Sequence, residues 1–250
     1  GLHLWDYTTP IAEIVLSVND RIKEGKVLYA GLSSVPAWQV SRMNTYADYH
    51  GLHPFIALQN EWSLVERSHE PEYLPMCKEL DIGMTCWSPL HGGLLSGKYT
   101  TDSVDPSIPN RVLPHVKDSS QFWYEATQRN LAILKELQPI VDEIGEPWTA
   151  FALRWLMQQK ETVTIPIFSV RTAKQLTDAL RATEFELSDE QMAKINAITS
   201  PAITSPYPAF GAYPYTMLEY GSPALPNFFS RALLYGCLLY TSDAADDVVG

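Results

Sequence analysis

Apolar residues in this chain fall in short runs separated by amphipathic stretches, the pattern of strands alternating with helices. His3 sits in a short apolar strand, and Thr9-Pro10 predicts a helix with a capping hydroxyl and proline at its first position, ending at Gly25. Residues 26–32 read as a buried strand, 36–49 as an amphipathic helix and 54–58 as the next buried strand. A helix over 70–80 and a strand over 82–87 follow. A Gly- and Pro-rich loop then runs to about Ser120, too long for an ordinary connection and so read as functional. Beyond it the pattern predicts helices over 122–144 and 147–159, a strand over 163–168 and a helix over 173–182. A capping box, Ser188-Asp-Glu-Gln191, opens one more helix.

The first four strands recur roughly every 27 residues, the spacing of a βα unit in a parallel sheet. Doubly wound sheets and barrels share that rhythm. No Gly-x-Gly-x-x-Gly follows any strand, which weighs against the dinucleotide-binding open sheet and favours the barrel.

Composition narrows the function classes. At 250 residues, 46% hydrophobic and 19% charged, the chain has material for one large core. A net charge of −11 without any Lys/Arg run excludes a nucleic-acid partner, and no apolar run is long enough to span a membrane. The three cysteines, Cys77, Cys86 and Cys237, form no CxxC pair and point to a reducing compartment, the cytoplasm. The chain begins at Gly1, which leaves a leader peptide open. Residues 237–250 resemble a translated sequencing adapter and are set apart from the barrel portion expected over 1–236.

In a (β/α)8 barrel the chemistry lies where strands end, so the first polar or aromatic residues after each apolar run are the informative ones. Here they are His3, Ser33-Ser34, Gln59-Asn60, Trp87-Ser88, and Ser169 with Arg171. Neutral hydrogen-bonding groups and one indole suit a flat heteroaromatic amide.

The motifs around these residues carry a resemblance. His3-Leu-Trp-Asp-Tyr-Thr-Thr-Pro10, Leu58-Gln-Asn-Glu-Trp-Ser-Leu64, Trp87-Ser-Pro-Leu90, Gly92-Gly-Leu-Leu-Ser-Gly-Lys-Tyr99 and Arg171-Thr-Ala-Lys-Gln-Leu176 resemble aldo-keto reductases, in the family's order, from His3 to about Ser200. The subgroup that includes potassium-channel β subunits is the one most resembled. The resemblance implies an α/β fold, here a partial (β/α)8 TIM barrel lacking about the first three βα units. It also implies hydride transfer from NADP(H) to a small-molecule aldehyde or ketone without a metal, and it leaves a homo-oligomer open.

By the same resemblance His3 would orient and polarise the substrate carbonyl, Ser33, Ser34 and Gln59 would hold the nicotinamide carboxamide, and Trp87 would stack on its ring. Ser88, Leu90, Gly92 and Lys98 would lie along the pyrophosphate, with Lys98 and Arg111 on a loop that folds over the cofactor. Ser169 and Arg171 would meet the 2′-phosphate, and Gln175 and Asp178 the adenine. Three positions depart from the family: Ser34 stands where members often carry Asn or Asp, Ser169 where they carry Gly, and Ala179 where they carry Asn. The family's general-acid tyrosine, with its lysine and aspartate, belongs to elements before the histidine strand, and Tyr7, Tyr29 and Tyr99 do not match its motif. The expectation is therefore a reductase active only when full length, with a nicotinamide-nucleotide-sensing binding module as the alternative. Five strands do not close a barrel, so the chain is expected to expose two sheet edges.

Two apparent motifs carry no function. Gly92-x4-Gly97-Lys98 lacks the Ser or Thr that a P-loop needs next, because Tyr99 follows, and His50-x-x-His53 has no further ligand cluster near it.

Overall fold

A computed structural model describes residues 1–99 and 121–201. Five strands, β1 (Leu2–His3), β2 (Ala30–Ser33), β3 (Phe55–Glu61), β4 (Gly83–Trp87) and β5 (Thr164–Ile167), form one sheet in chain order, every neighbouring pair parallel. The order never reverses. A doubly wound sheet requires a reversal, whereas sequential winding with right-handed crossovers puts every helix on one face, as in a barrel wall. The α/β class and parallel sheet expected from the sequence are thus present.

The helices are α1 (Ile11–Lys23), α2 (Ala37–Tyr49), α3 (Glu70–Glu79), α4 (Gln121–Ile144), α5 (Trp148–Met157), α6 (Ala173–Leu180) and α7 (Asp189–Thr199). In α2 the buried residues Ala37, Val40, Met43, Asn44 and Ala47 repeat at helical spacing. Asn44 closes the seam to the sheet, its amide donating to the Phe55 carbonyl at 2.8 Å and its oxygen accepting the Phe55 N–H at 2.9 Å. Helix α5 is buried on nearly all sides (Ala150, Phe151, Ala152, Leu153, Trp155, Leu156). The capping box at α7 forms as the sequence predicts, Ser188 and Gln191 bonding reciprocally. Among the described residues no helix is long and apolar enough to cross a membrane.

Alternation along the strands sorts the sheet into two faces. Leu32, Leu58 and Met84 pair across one row, and with Cys86 they are fully buried on the helix-covered face. The opposite face carries a row of small residues, Gly31, Ala57 and Gly83, and above it His3, Ser33, Gln59, Thr85 and Ile165. The small row is needed for close approach: a Cβ on Gly31 would lie 3.0 Å from the Ala57 carbonyl oxygen. On β5, Ile165 and Ile167 of this face stand 55% and 43% exposed, and Val163 just before the strand is more exposed still.

Three boundaries differ from expectation. The strand expected over 26–32 begins at Ala30, because the Lys26 and Val27 N–H groups both bond the Arg21 carbonyl and are spent on closing α1 after Gly25 in a left-handed turn. Leu28 and Tyr29 are consequently exposed. Thr9 does not cap α1; its N–H and hydroxyl both go to the Asp6 carboxylate, each at 2.8 Å. The third strand, expected to stop at Leu58, runs on to Glu61 because its ladder with β4 continues as far as the Glu61–Trp87 pair.

Candidate functional site

Parallel strands end together, so the carboxyl ends of β1 to β4 bring their last residues to one rim. His3, Ser33 and Gln59 occupy one register row and Trp87 pairs with Glu61 one step higher, all with the parity of the face that the helices leave uncovered. With adjacent strands about 4.8 Å apart, the set from His3 to Gln59 spans roughly 10 Å, the scale of a nicotinamide and the group that meets it. Trp87 is 36% exposed and His3 is exposed, whereas Ser33 is buried.

The loop after β2 is strained and held. Ser34 adopts a left-handed backbone (φ 55°), and its N–H is shared between the Gln59 carbonyl and the Asn60 side-chain oxygen, each at 3.2 Å. Asn60 has the opposite parity to Gln59 and is buried, so it supports the loop from behind the rim. Tyr73 of α3 adds a second tie, donating to the Val35 carbonyl at 3.0 Å.

The segment after β4 forms a tight turn of 3-10 helix at His91–Ser96. Ser88, His91, Gly92, Gly93 and Gly97 all have positive φ, and a chain with so many reversals can turn backbone groups toward a bound anion. Leu90, expected along the pyrophosphate, also packs its side chain against Ala150, Leu153, Ala179 and Ala182, which anchors the turn to α5 and α6. Lys98 is exposed at the end of this segment. Arg111 lies outside the described residues, as does the 237–250 tail.

The fifth strand contributes Ser169 and Arg171, both exposed at the entry to α6. Here two expected contacts have local partners. Gln175 accepts the Arg171 N–H at 2.8 Å while its own N–H bonds the Thr172 hydroxyl at 3.2 Å, and Asp178 pairs with Lys174 at 2.9 Å. These leave the Arg171 guanidinium on a backbone fixed by the helix cap. Ala179 is fully buried in the core cluster and so offers nothing to a ligand.

The carboxyl of Glu61, at the top of β3 beside Trp87, is pushed up to about 7 by burial, with Glu66 adding to the effect. His91 is pushed below the ordinary histidine range by burial, Glu66 opposing and Arg129 reinforcing. The thiols of Cys77 and Cys86 are pushed up to about 12 by burial, so neither supplies a thiolate nucleophile. His50 and His53 are used locally, each ring Nδ1 lying within 3 Å of an oxygen, the Tyr46 carbonyl at 2.8 Å and the Asn19 amide at 2.9 Å.

The sequence reading missed Glu61 and His91. Glu61 shares the parity of Gln59, and a strand carried three residues past Leu58 would have put it on the rim. Asn60 was noticed as polar, but its role depends on which face it takes.

Residues 1–200 match the Aldo/keto reductase family profile. The chain is 32% identical over 84% of its length to an aryl-alcohol dehydrogenase [NADP(+)] of Phanerodontia chrysosporium, covering 54% of that protein. It is 30% identical over 87% to norsolorinic acid reductase B of Aspergillus parasiticus, covering 53%, and 31% identical over 78% to a norsolorinic acid reductase of Emericella nidulans, covering 46%. The chain therefore spans about half the length of the curated relatives it matches.

Proposed function

Because the chain belongs to the aldo/keto reductase family, we propose that it forms the cofactor-binding side of an NADP-dependent oxidoreductase acting on aldehydes or ketones. The observation that carries this reading is the meeting of His3, Ser33, Gln59 and Trp87 on one face at one end of a parallel sheet.

The residues present fit a nicotinamide dinucleotide. An exposed indole offers a stacking plane, and Ser33 and Gln59 in the neighbouring row supply a hydroxyl and an amide for a carboxamide, which needs both donor and acceptor. The Ser88–Gly97 turn supplies left-handed backbone suited to a pyrophosphate, and Arg171 a planar fork suited to a 2′-phosphate. When bound, such a cofactor supplies hydride to a carbonyl carbon. His3 would donate a ring N–H to the carbonyl oxygen and orient it, while Trp87 would fix which ring face meets the substrate. In this reading the family's proton-donating tyrosine lies on elements preceding β1, and the described sheet is one part of an eight-stranded barrel. The names of the relatives favour oxidoreduction over the nucleotide-sensing alternative: they are dehydrogenases and reductases.

Titration of the chain with NADPH, followed by tryptophan quenching and energy transfer to the nicotinamide, tests the reading. Saturable binding is expected. Trp87→Ala should weaken it at least tenfold, and Arg171→Ala should remove the preference for NADPH over NADH while sparing NADH affinity. The absence of saturable quenching at millimolar NADPH refutes the proposal, as does an Arg171→Ala chain with undiminished preference.

A further inference from the structure

Glu61 and His91 have no part in the assignments above, yet they stand at the centre of the rim. Glu61 ends β3 in register with Trp87. His91 begins the turn that follows Trp87, in a left-handed conformation (φ 44°), and places Nδ1 3.7 Å from the Glu61 Oε1. That separation is beyond hydrogen-bond reach. Among the described residues the His91 Nδ1 is nonetheless fully buried with no hydrogen-bond partner, a costly condition for a ring nitrogen.

The other ring nitrogen decides which proton His91 carries. The Asn130 side-chain oxygen faces the Arg129 guanidinium, at 3.4 and 3.3 Å, so its amide N–H2 is turned to His91, with 3.5 Å between Nδ2 and Nε2. An Nε2 that faces an amide donor is the acceptor, and the neutral ring then bears its hydrogen on Nδ1, the nitrogen 3.7 Å from the Glu61 Oε1. The chain Arg129, Asn130, His91, Glu61 thus runs from α4 through the turn to the end of β3.

We propose that Glu61 is a positioning residue for cofactor binding: as a carboxylate it accepts the His91 Nδ1–H and latches the Ser88–Gly97 turn to the sheet beside Trp87, and when protonated it leaves the turn unlatched. The proposal rests on the cofactor reading above and adds its regulation by pH. A neutral carboxyl is a weaker acceptor, whereas a bond from a ring N–H to a carboxylate is charge-assisted and shorter than the 3.7 Å that separates the pair here. Among the described residues the charged groups acting on the pair are Glu66, which opposes ionisation of Glu61, and Arg129, which opposes protonation of His91. Burial and Glu66 bring the Glu61 transition to about 7, within the range where cells vary.

The test uses the full chain and two readouts. In the ligand-free protein, ring 15N NMR of His91 should show the Nδ1–H tautomer and a chemical-shift step near pH 7 that is absent in Glu61→Gln. NADPH dissociation constants measured from pH 6 to 8.5 supply the second. The ratio of Glu61→Gln to wild type should be near one at pH 6 and rise to roughly fivefold at pH 8, the scale of one partly solvated charge-assisted hydrogen bond. Taking the ratio cancels ionisation of the cofactor itself. His91→Asn should show the same loss at pH 8, and the double variant no more than either single one. A ratio that stays flat with pH, additive losses, or an Nε2–H tautomer overturns the latch. Failure of every variant to bind NADPH at any pH overturns the proposed function instead, and the ring-nitrogen signals still decide whether the pair exists.

Discussion

Replacing Glu70 by Gln should cost more stability than any other single change at the rim. Where β3 leaves the sheet, Arg67 and Glu70 form a bidentate pair, Nε to Oε1 at 2.6 Å and Nη2 to Oε2 at 2.9 Å, with side chains only 5% and 2% exposed. The pair is satisfied on its other sides. Trp62 donates to Glu70 at 2.8 Å, Arg67 reaches Asn196 at 3.1 Å and Thr199 at 2.5 Å, and its guanidinium lies 5.0 Å from the centroid of the Trp155 ring. Desolvating two charges offsets much of what their attraction returns, so the intact pair adds little net stability, but removing one partner forfeits the attraction while the other charge stays desolvated. Glu70→Gln removes the carboxylate charge that two nitrogens of Arg67 and the Trp62 N–H all meet, at a cost of about 3–5 kcal/mol. For a domain of this size that lowers the melting temperature by roughly 10 °C. Circular-dichroism melts of Glu70→Gln, Arg67→Met and the double variant form a thermodynamic cycle. The double variant should lose at least about 2 kcal/mol less than the sum of the singles, because each single change already removes the bidentate contact that the other would remove. Losses below about 1 kcal/mol for both singles, or additivity within about 0.5 kcal/mol, would refute the argument.

Asn60→Ala removes the buried acceptor of the Ser34 N–H and should cost about 1–2 kcal/mol in chemical denaturation while weakening NADPH binding; unchanged affinity would mean that the loop after β2 does not need the clamp. Ser34→Asn should stabilise the chain by a few tenths of a kcal/mol, since asparagine tolerates the left-handed backbone (φ 55°) better than serine, and a lower denaturation midpoint would contradict this. Asp6, held down at about 2 by the N–H and hydroxyl groups of Thr9 and Thr8, contributes stability that is present above pH 4 and is lost as pH falls through 2. The acid limb of a melting-temperature profile should therefore flatten in Asp6→Ala, and identical limbs would show that the turn between His3 and α1 is unaffected by that charge.

The order of elements was legible because each strand is a short apolar run and each helix an amphipathic one, and those periods survive folding unchanged. The rim residues were legible for a related reason: a residue that ends an apolar run at the carboxyl end of a parallel strand has few places to go. Boundaries were harder, since they depend on where backbone hydrogen bonds are spent. Nothing in Lys26-Val-Leu-Tyr29 announces that its first two N–H groups turn back to Arg21, because the apolar run itself is as strand-like as the one at β4. Pairing with a neighbour decides the matter, and pairing is a property of two segments at once.

The same dependence explains why Glu61 and His91 were not seen. Each taken singly has the features of a surface residue, an acid near a strand end and a histidine in a Gly-rich loop. Their meaning arises when β3 runs three residues past its apolar stretch, which brings Glu61 into register with Trp87, and when the turn after Trp87 reverses through positive-φ positions at Ser88 and His91 to bring His91 near Glu61. A carboxyl and an imidazole that share no sequence motif thereby come to sit in a half-buried environment that pushes the carboxyl up to about 7 and the imidazole below its ordinary range. Residues that touch a ligand leave their type in a motif because the ligand demands it. A pair that acts on the loop demands only that its two halves meet, and many sequences satisfy that demand, so its signal lies in three dimensions and in the titration that the variants above are built to read.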